Sequence, residues 1–196
     1  MKPKKKWEDH YSRKAKKEDF PARSVYKLQE IQKKFRIIKK GDVVLDLGCS
    51  PGSWLLYTSE LVGAEGFVVG VDIKPVEVNI ASNVKVITGD ISRDGIGLLA
   101  PLEKEYNIIL SDMAPATTGR KDVDAYNSFS LCNDALQIAR SFLMPGGSFV
   151  CKIFQGPDFI ALADEMKNMF RTQKNFKPKS SRKASKEIYL IGIGRK

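Results

Sequence analysis

The chain has 196 residues, of which 42% are hydrophobic and 29% are charged, so it can bury the core of one domain and is not disordered as a whole. Its net charge of +10 lies at the two ends. Residues 1–40 hold 15 Lys/Arg against 5 Asp/Glu and residues 171–196 hold 9 against 1, whereas the stretch between them holds 9 against 17. This asymmetry favours a polyanionic partner, because phosphate neutralisation supplies most sequence-independent affinity for nucleic acid.

The composition also excludes several classes of protein. No apolar run approaches the roughly 18 to 20 residues that span a bilayer, and no apolar stretch follows the first lysines, so we expect neither a membrane partner nor a secretory signal. Three cysteines without CxxC spacing and a single histidine give no disulfide framework and no zinc site. We therefore predict a cytoplasmic protein that binds no metal.

The pattern along the chain predicts a basic leader followed by one domain. Residues 1–20 are charged and nearly free of aliphatic side chains, which predicts a flexible leader, and residues 21–196 form the domain. From Ser24, apolar residues recur at helical spacing and predict an amphipathic helix. Short apolar runs then alternate with helical stretches. The predicted strands are 43–48, 67–73, 84–88, 106–112, 147–154 and 188–194, and the predicted helices between them are 53–62, 94–103, 125–143 and 157–170.

This alternation predicts an α/β fold. Runs that are apolar almost throughout suit strands that are buried on both faces, so we expect a Rossmann-like, doubly wound and mostly parallel sheet. The last two runs are separated by one helix and a Lys/Ser-rich stretch. We therefore expect an antiparallel strand to close the sheet.

A glycine-rich turn follows the first predicted strand and opens the next helix, over residues 43–54 with the sequence VVLDLGCSPGSW. Ligands bind at the carboxyl ends of the strands in sheets of this kind, so the turn predicts a ligand site. Gly48 and Gly52, with Pro51 between them, allow the backbone to approach the ligand closely. Asp46 precedes the turn, where its carboxylate would repel a pyrophosphate but would suit a cationic ligand.

Two further acidic residues follow the next two strands and indicate a nucleoside cofactor. Asp72 lies 20 positions after Gly52, which lets its carboxylate accept hydrogen bonds from both hydroxyls of a ribose. Asp90 follows the third strand, where it could accept from an adenine amino group. The turn contains GxxxG rather than the GxGxxG of dinucleotide sites, so together with Asp46 it favours S-adenosylmethionine over NAD.

Four charged residues lie at positions where charge is costly. Lys27 adjoins the apolar stripe of the first helix, Asp112 ends the fourth strand, Lys152 lies inside the apolar run FVCKIF, and Glu187 opens the last strand. A lysine inside a core strand is rarely tolerated unless it is paired or functional. These residues therefore indicate either a catalytic group or a buried ion-pair network.

Taken together, the motifs closely resemble the FtsJ/RrmJ family of S-adenosylmethionine-dependent RNA 2′-O-ribose methyltransferases. The resemblance covers the chain from about residue 11 to the end, with the motifs in the family's order. One small departure is Ser53, where many members carry a second glycine. The motifs are RSVYKLQEI, VLDLGCSPGSW, VDIKP, GDI, SDMAP with the following TTG, PGGSFVCKIFQG and SSRKASKEIYLI.

The resemblance implies that Lys27, Asp112, Lys152 and Glu187 form the family's K-D-K-E tetrad in a methyltransferase domain. A ribose 2′-hydroxyl is a poor nucleophile, so the enzyme must align it with an activated methyl group and remove its proton. Lys152 is the predicted base, Lys27 is the second cation that favours its neutral form, and the two carboxylates orient the amines. The cofactor residues implied by the resemblance are Gly52, Trp54, Asp72, Asp90 and Asp112.

The substrate is expected to be RNA, because DNA has no 2′-hydroxyl. The small size of the chain and its KLQEI and SRKASKEIYL segments are most similar to the branch that acts on large-subunit ribosomal RNA. We therefore predict methylation of a uridine in that RNA, alone or in the large ribosomal subunit, by a monomer. A tRNA 2′-O-ribose methyltransferase, an RNA-binding ribosome assembly factor with vestigial methylation, and a small-molecule methyltransferase are the alternatives.

Overall fold

Short runs rich in Val, Ile and Leu, together with one polar edge strand, pair into a single sheet in the computed structural model, which describes residues 10–102, 105–182 and 184–196. The strands are β1 (Val43–Leu47), β2 (Phe67–Asp72), β3 (Val84–Thr88), β4 (Tyr106–Ser111), β5 (Leu143–Phe154), β6 (Phe170–Phe176) and β7 (Glu187–Arg195). Their order across the sheet is β3-β2-β1-β4-β5-β7-β6. Strands β1 to β5 are parallel, and β7 is antiparallel to both of its neighbours.

Helices cover both faces of the sheet. They are α1 (His10–Lys17), α2 (Val25–Phe35), α3 (Ser53–Val62), α4 (Ile91–Asp94), α5 (Lys121–Phe142) and α6 (Phe159–Met169), with 3₁₀ turns at Gly95–Leu98 and Ala100–Leu102. Successive strand residues point to opposite faces, so Leu45 and Leu47 join the core with α5 and α6, whereas Val44 joins the core with α2 and α3. This architecture confirms the predicted doubly wound, mostly parallel sheet with an antiparallel closing strand.

Three parts of the chain differ from the elements that the sequence predicts. Residues 10–17 of the predicted flexible leader form α1, because Ala15 buries its side chain against Val25 and Tyr26; residues 1–9 lie outside the described residues. The helix expected at 94–103 is replaced by α4 and the two 3₁₀ turns, in a stretch whose Gly95 has a φ of 55°; residues 103 and 104 are not described.

The third difference is β6, which the sequence analysis left between a helix and a lysine-rich stretch. Its sequence, FRTQKNF, lacks the apolar run of the other strands. A polar strand is stable there because β6 is an edge strand that pairs with β7 and leaves Arg171, Thr172, Lys174 and Asn175 exposed to solvent.

Candidate active site

An open cavity of about 830 Å³ lies where β1, β2, β3 and β4 end. The turns that follow parallel strands leave a crevice at this edge, and doubly wound sheets bind their ligands there. The cavity is lined by five of the predicted cofactor residues, namely Gly48, Pro51, Asp72, Asp90 and Asp112. The structure thus brings together, around one cavity, residues that are up to 64 positions apart in the chain.

The glycine-rich turn meets the cavity with its backbone. Gly48 has a φ of 78°, and a Cβ at this position would lie 2.8 Å from the side chain of Met113, so any other residue would be strained. Asp72 holds the turn in place: its Oδ2 accepts a hydrogen bond from the Ser50 N–H at 2.9 Å, and its Oδ1 accepts one from the Lys74 N–H at 2.8 Å. A carboxylate has about four lone-pair sites, so Asp72 keeps acceptor capacity for the hydroxyls of a ligand.

Residues of α4 and α5 form the opposite wall. Asp90 caps α4, because its Oδ1 accepts a hydrogen bond from the Ser92 N–H at 3.0 Å. Asn127, Ser130 and Asp134 of α5 also line the cavity, and the Ser92 hydroxyl donates to Asp134 at 2.6 Å. The sequence analysis missed the three α5 residues. Their only signal is a recurrence of polar residues at three- to four-residue spacing, which most solvent-facing helices share.

Three other predicted cofactor residues lie behind the cavity rather than in its wall: Asp46, Gly52 and Trp54. Gly52, with a φ of 111°, is the N-cap of α3, and the Trp54 indole N–H donates to the Ser24 carbonyl at 2.9 Å. Asp46 is fully buried in β1, and neither of its carboxylate oxygens has a hydrogen-bond partner among the described residues. Burial, and then the charges of Asp112 and Asp72, raise the pKa of Asp46 well above its usual value.

The four residues of the predicted tetrad meet beside this cavity. Asp112 follows β4, Lys152 lies near the end of β5, and Glu187 begins β7, which reaches the same edge because it runs antiparallel. The Lys152 Nζ lies 3.0 Å from the Asp112 Oδ1 and also donates a hydrogen bond to the Asp112 carbonyl. From α2, the Lys27 Nζ lies 2.8 Å from the Glu187 Oε1. Both ion pairs are largely buried, with Lys152 only 6% exposed and Glu187 only 8% exposed.

Asp112 is the residue that joins the cavity to the tetrad. Burial pushes the pKa of this carboxyl upward, but the charges of Lys152 and Lys27 and the hydrogen bond from Tyr189 outweigh burial, so the pKa is lowered overall. Asp112 therefore remains ionised while it lines the cavity and holds the Lys152 amine. This arrangement places the Lys152 amine, a potential base, next to any group that reacts with a ligand in the cavity.

Tyr189 is a further residue of the site that could not be identified from the sequence. It pairs with Lys152 across β5 and β7, and its hydroxyl donates to the Asp112 Oδ1 at 2.6 Å. Burial, together with the charges of Asp112 and Glu187, raises the pKa of this phenol well above its usual value, so Tyr189 is a hydrogen-bond donor rather than a base. In the sequence it lies in the apolar run IYLIGIG, where a tyrosine is an ordinary core residue.

A second cavity, of about 410 Å³, opens on the other side of the Lys27–Glu187 pair. Its lining includes Arg23 and Arg182. The two basic ends of the chain meet here, because Glu30 of α2 accepts hydrogen bonds from the Lys179 and Ser180 N–H groups at 2.7 and 2.8 Å. Residues about 150 positions apart in the sequence thus form one basic surface beside the tetrad.

No helix in residues 10–102, 105–182 and 184–196 combines the length and apolarity of a membrane span. Within the same ranges, no three His, Cys, Asp or Glu side chains are grouped as the ligands of a metal ion would be.

Comparisons with known proteins show that the chain is similar to methyltransferases over nearly its whole length. The FtsJ-like methyltransferase family model matches residues 20–195. A ribosomal RNA large subunit methyltransferase E from Desulforapulum autotrophicum is 55% identical over 196 residues, which cover 100% of this chain and 97% of that protein. The corresponding enzyme of Bdellovibrio bacteriovorus is 48% identical over 96% of this chain and 97% of its own.

Solved structures give the same result at the level of the fold. A crystal structure of a protein assigned as a ribosomal RNA methyltransferase from Plasmodium falciparum has a TM-score of 0.79 and 30% identity, covering 90% of this chain and 98% of that one. Human methyltransferase-like protein 13 in complex with SAH has a TM-score of 0.62 and 15% identity, covering 85% and 81%, and shares the fold. With its strand-end cavity and nearly full-length match to the family model, the chain belongs to the FtsJ-like methyltransferase family.

Proposed function

We propose that this protein transfers a methyl group from S-adenosylmethionine to a ribose 2′-hydroxyl of large-subunit ribosomal RNA, with Lys152 as the base. The chain is a methyltransferase by family, and its relatives with about 50% identity are named ribosomal RNA large subunit methyltransferase E. The single observation that carries the proposal is the buried Lys152–Asp112 pair. This pair holds the Lys152 amine, a group that can take a proton, next to the cavity.

The polar groups that line the cavity suit S-adenosylmethionine. Asp72 offers carboxylate acceptors to the ribose hydroxyls, and Asp90 and Asp134 offer acceptors to an adenine amino group. The absence of a Cβ at Gly48 allows the turn to pack closely against Met113, which also lines the cavity. When bound, this cofactor supplies a methyl group that its sulfonium already activates, and the related fold with bound SAH is consistent with that choice.

The residues of the chain then have separate tasks. Lys152, as the neutral amine, accepts the proton of the 2′-hydroxyl as that oxygen takes up the methyl group. Asp112 and Tyr189 fix the position of the amine and exclude other rotamers. Lys27, held by Glu187, adds a second positive charge close to Asp112 and helps to keep that carboxylate ionised.

The basic surface beside the tetrad is the proposed contact for RNA. Arg23 and Arg182 line the second cavity together with Lys27. A guanidinium binds phosphate through two parallel hydrogen bonds, so these side chains suit an RNA backbone. Since the four residues of the tetrad all come from one chain, we propose that the enzyme acts as a monomer in the cytoplasm.

The target is tested by mapping 2′-O-methyl groups in total RNA from cells with and without the protein. We expect one mark in large-subunit ribosomal RNA to disappear without it and to return with the wild-type chain. Cells that carry only the Lys152→Ala variant serve as the control, because they separate the effect of methylation from the effect of RNA binding. Loss of a mark in tRNA, or no loss of any mark, would contradict the ribosomal target.

A further inference from the structure

Ser53, the one residue of the glycine-rich turn that departs from the family's pattern, makes two hydrogen bonds to a single distant residue. It is the first residue of α3 and is 1% exposed. Its hydroxyl oxygen accepts a hydrogen bond from the Ala22 N–H at 2.7 Å, and the hydroxyl donates to the Ala22 carbonyl at 3.1 Å. A serine hydroxyl has one proton and two lone pairs, so Ser53 satisfies both backbone groups of Ala22 at once.

The next residue makes a parallel connection. The Trp54 indole N–H donates to the Ser24 carbonyl at 2.9 Å. The Ala22 and Ser24 carbonyls also accept the N–H groups of Val25 and Lys27, so the two side chains of α3 hold the first turn of α2. We call these contacts of Ser53 and Trp54 with Ala22 and Ser24 the α2 latch.

The α2 latch connects the two halves of the active site. On one side, the turn that ends at Ser53 lines the cofactor cavity through Gly48 and Pro51. On the other side, Lys27 projects from the latched turn to the buried Glu187. The main chain before α2 has no strand partner, so side-chain contacts of this kind determine where α2 begins.

We propose that Ser53 is a positioning residue for methyl transfer: through the α2 latch it holds Lys27 against Glu187 and Asp112. Ser53 itself touches neither the cavity nor the tetrad. This inference rests on the proposed function, because it assigns to Ser53 a share in the geometry of that reaction. A displacement of about 1 Å in a catalytic group can lower a rate by as much as 10²-fold, so a small shift of α2 is sufficient for a large effect.

The test compares Ser53→Ala with a matched variant in the same helix. Ser59 of α3 is also buried, and its hydroxyl donates to Asn83 at 2.7 Å, far from α2. Ser59→Ala therefore removes an equivalent hydroxyl hydrogen bond without touching Ala22. Ser53→Gly is the second variant at the latch, because glycine is acceptable at a helix start.

For both Ser53 variants we expect kcat for RNA methylation to fall about tenfold, while the Kd for S-adenosylmethionine stays within twofold. Hydrogen exchange at the amides of Val25 and Lys27 should accelerate about tenfold, because the turn they belong to is released. Ser59→Ala should lower the Tm by a similar amount yet keep kcat and these two exchange rates within twofold of wild type.

Two results would overturn the proposal. One is a Ser53→Ala or Ser53→Gly variant that keeps kcat within twofold of an active wild-type enzyme; the other is a Ser59→Ala variant that loses as much kcat as they do. If the wild-type protein methylates no RNA, the proposed function is refuted. The hydrogen-exchange rates at Val25 and Lys27 then test only whether the α2 latch holds the first turn of α2. Unchanged exchange at Val25 and Lys27 in the Ser53 variants would then refute it.

Discussion

At the scale of single residues, the site depends on charges that are placed inside the core and neutralised there. Lys152 lies in a strand whose neighbouring residues Cys151 and Ile153 are buried and apolar, and its amine contacts the carboxylate and the carbonyl of Asp112. An unpaired buried charge is strongly destabilising, so Lys152 persists because Asp112 compensates it. The same pairing aligns the amine beside the cavity, which is what a general base requires.

Replacement of Lys152 tests its role directly. Lys152→Ala should lower kcat by roughly 10² to 10⁴, the usual contribution of a positioned base, while the Kd for S-adenosylmethionine stays near that of wild type. Lys152→Arg should not restore activity, because a guanidinium stays protonated. Lys167→Ala, which removes an exposed lysine of α6, is the control. Turnover within threefold of wild type in Lys152→Ala would show that the base is another group.

The carboxylates of the cavity should govern cofactor affinity. Asp72→Ala and Asp90→Ala should each weaken S-adenosylmethionine binding by about 1.5 to 3 kcal/mol, which corresponds to roughly 10- to 150-fold in Kd by calorimetry. Asp122→Ala removes an exposed carboxylate at the start of α5, outside the cavity wall, and should leave the Kd unchanged. An equal loss in all three variants would indicate a general effect of charge instead of contacts in the cavity.

Asp46 should make stability depend on pH in a specific direction. Its pKa is raised in the folded state, so it contributes stability below the pKa of the unfolded chain, near 4, and this contribution is lost as pH rises toward the folded pKa. In Asp46→Asn that loss is absent. The Tm difference between Asp46→Asn and wild type should therefore grow in favour of the variant from pH 4 to pH 7. Each unit of raised pKa adds about 1.4 kcal/mol, or roughly 3 to 6 °C for a domain of this size.

A Tm difference between Asp46→Asn and wild type that stays constant from pH 4 to pH 7 would contradict this account of Asp46. Asp42→Asn, at the half-buried residue just before the same strand, provides the comparison for an acidic residue that is less buried. Its pKa is also raised by burial, against the N–H and charge of Lys39, so its effect should have the same sign and a smaller size.

Some residues of the site could be read from the sequence and others could not. Lys152, Asp112 and Asp72 were identifiable because a charge inside or directly after an apolar run has few structural explanations. Tyr189 was not, since its phenol looks like a core side chain until the register of β5 and β7 places it opposite Lys152. The lack of a hydrogen-bond partner for Asp46 among the described residues was equally invisible, because only the packed fold shows which donors lie near a buried carboxylate.

At the scale of elements, the buried strands were predictable and the surface elements were not. Nearly all residues of β1 and β4 are buried, on both faces of the sheet. Their apolar sequence pattern therefore identifies them as strands whichever elements pack against them. α1 has the polar sequence HYSRKAKK and is stabilised by tertiary contacts, namely burial of Ala15 and the hydrogen bond from the Tyr26 hydroxyl to Glu18 at 2.8 Å. β6 likewise depends on its partner strand. The formation of both α1 and β6 depends on tertiary contacts, and local sequence patterns do not encode such contacts.

The basic residues that precede α1 should add affinity for RNA rather than chemistry. Replacing Lys2, Lys4, Lys5 and Lys6 by Gln should weaken RNA binding and flatten the slope of log K against log salt by up to about 0.7 per lysine that contacts a single-stranded phosphate. kcat at saturating RNA should not change. Lys85→Gln, an exposed lysine of β3, is the control for charge alone. An unchanged salt slope in the quadruple variant would mean that these lysines bind no phosphate.

At the scale of the whole molecule, the fold brings the ends of β1 to β5, the first turn of α2 and the start of β7 to one edge of the sheet. The antiparallel β7 is essential to this arrangement, because it delivers Glu187 and Tyr189 to the edge where the parallel strands end. The lysine-rich segment before β7 packs on α2 through Glu30, so the charge asymmetry of the sequence becomes a basic surface beside the tetrad. The two cavities thus adjoin the buried pairs Lys152–Asp112 and Lys27–Glu187.

The central claim is tested most directly by incubating the purified protein with methyl-labelled S-adenosylmethionine and large ribosomal subunits, or their naked RNA, from cells that lack it. The product RNA is then digested and the labelled nucleoside identified. We predict about one labelled methyl group per large-subunit RNA, on the 2′-oxygen of a single uridine, and none with Lys152→Ala. Label on a base, or no transfer to either substrate by a folded protein that binds the cofactor, would contradict the account.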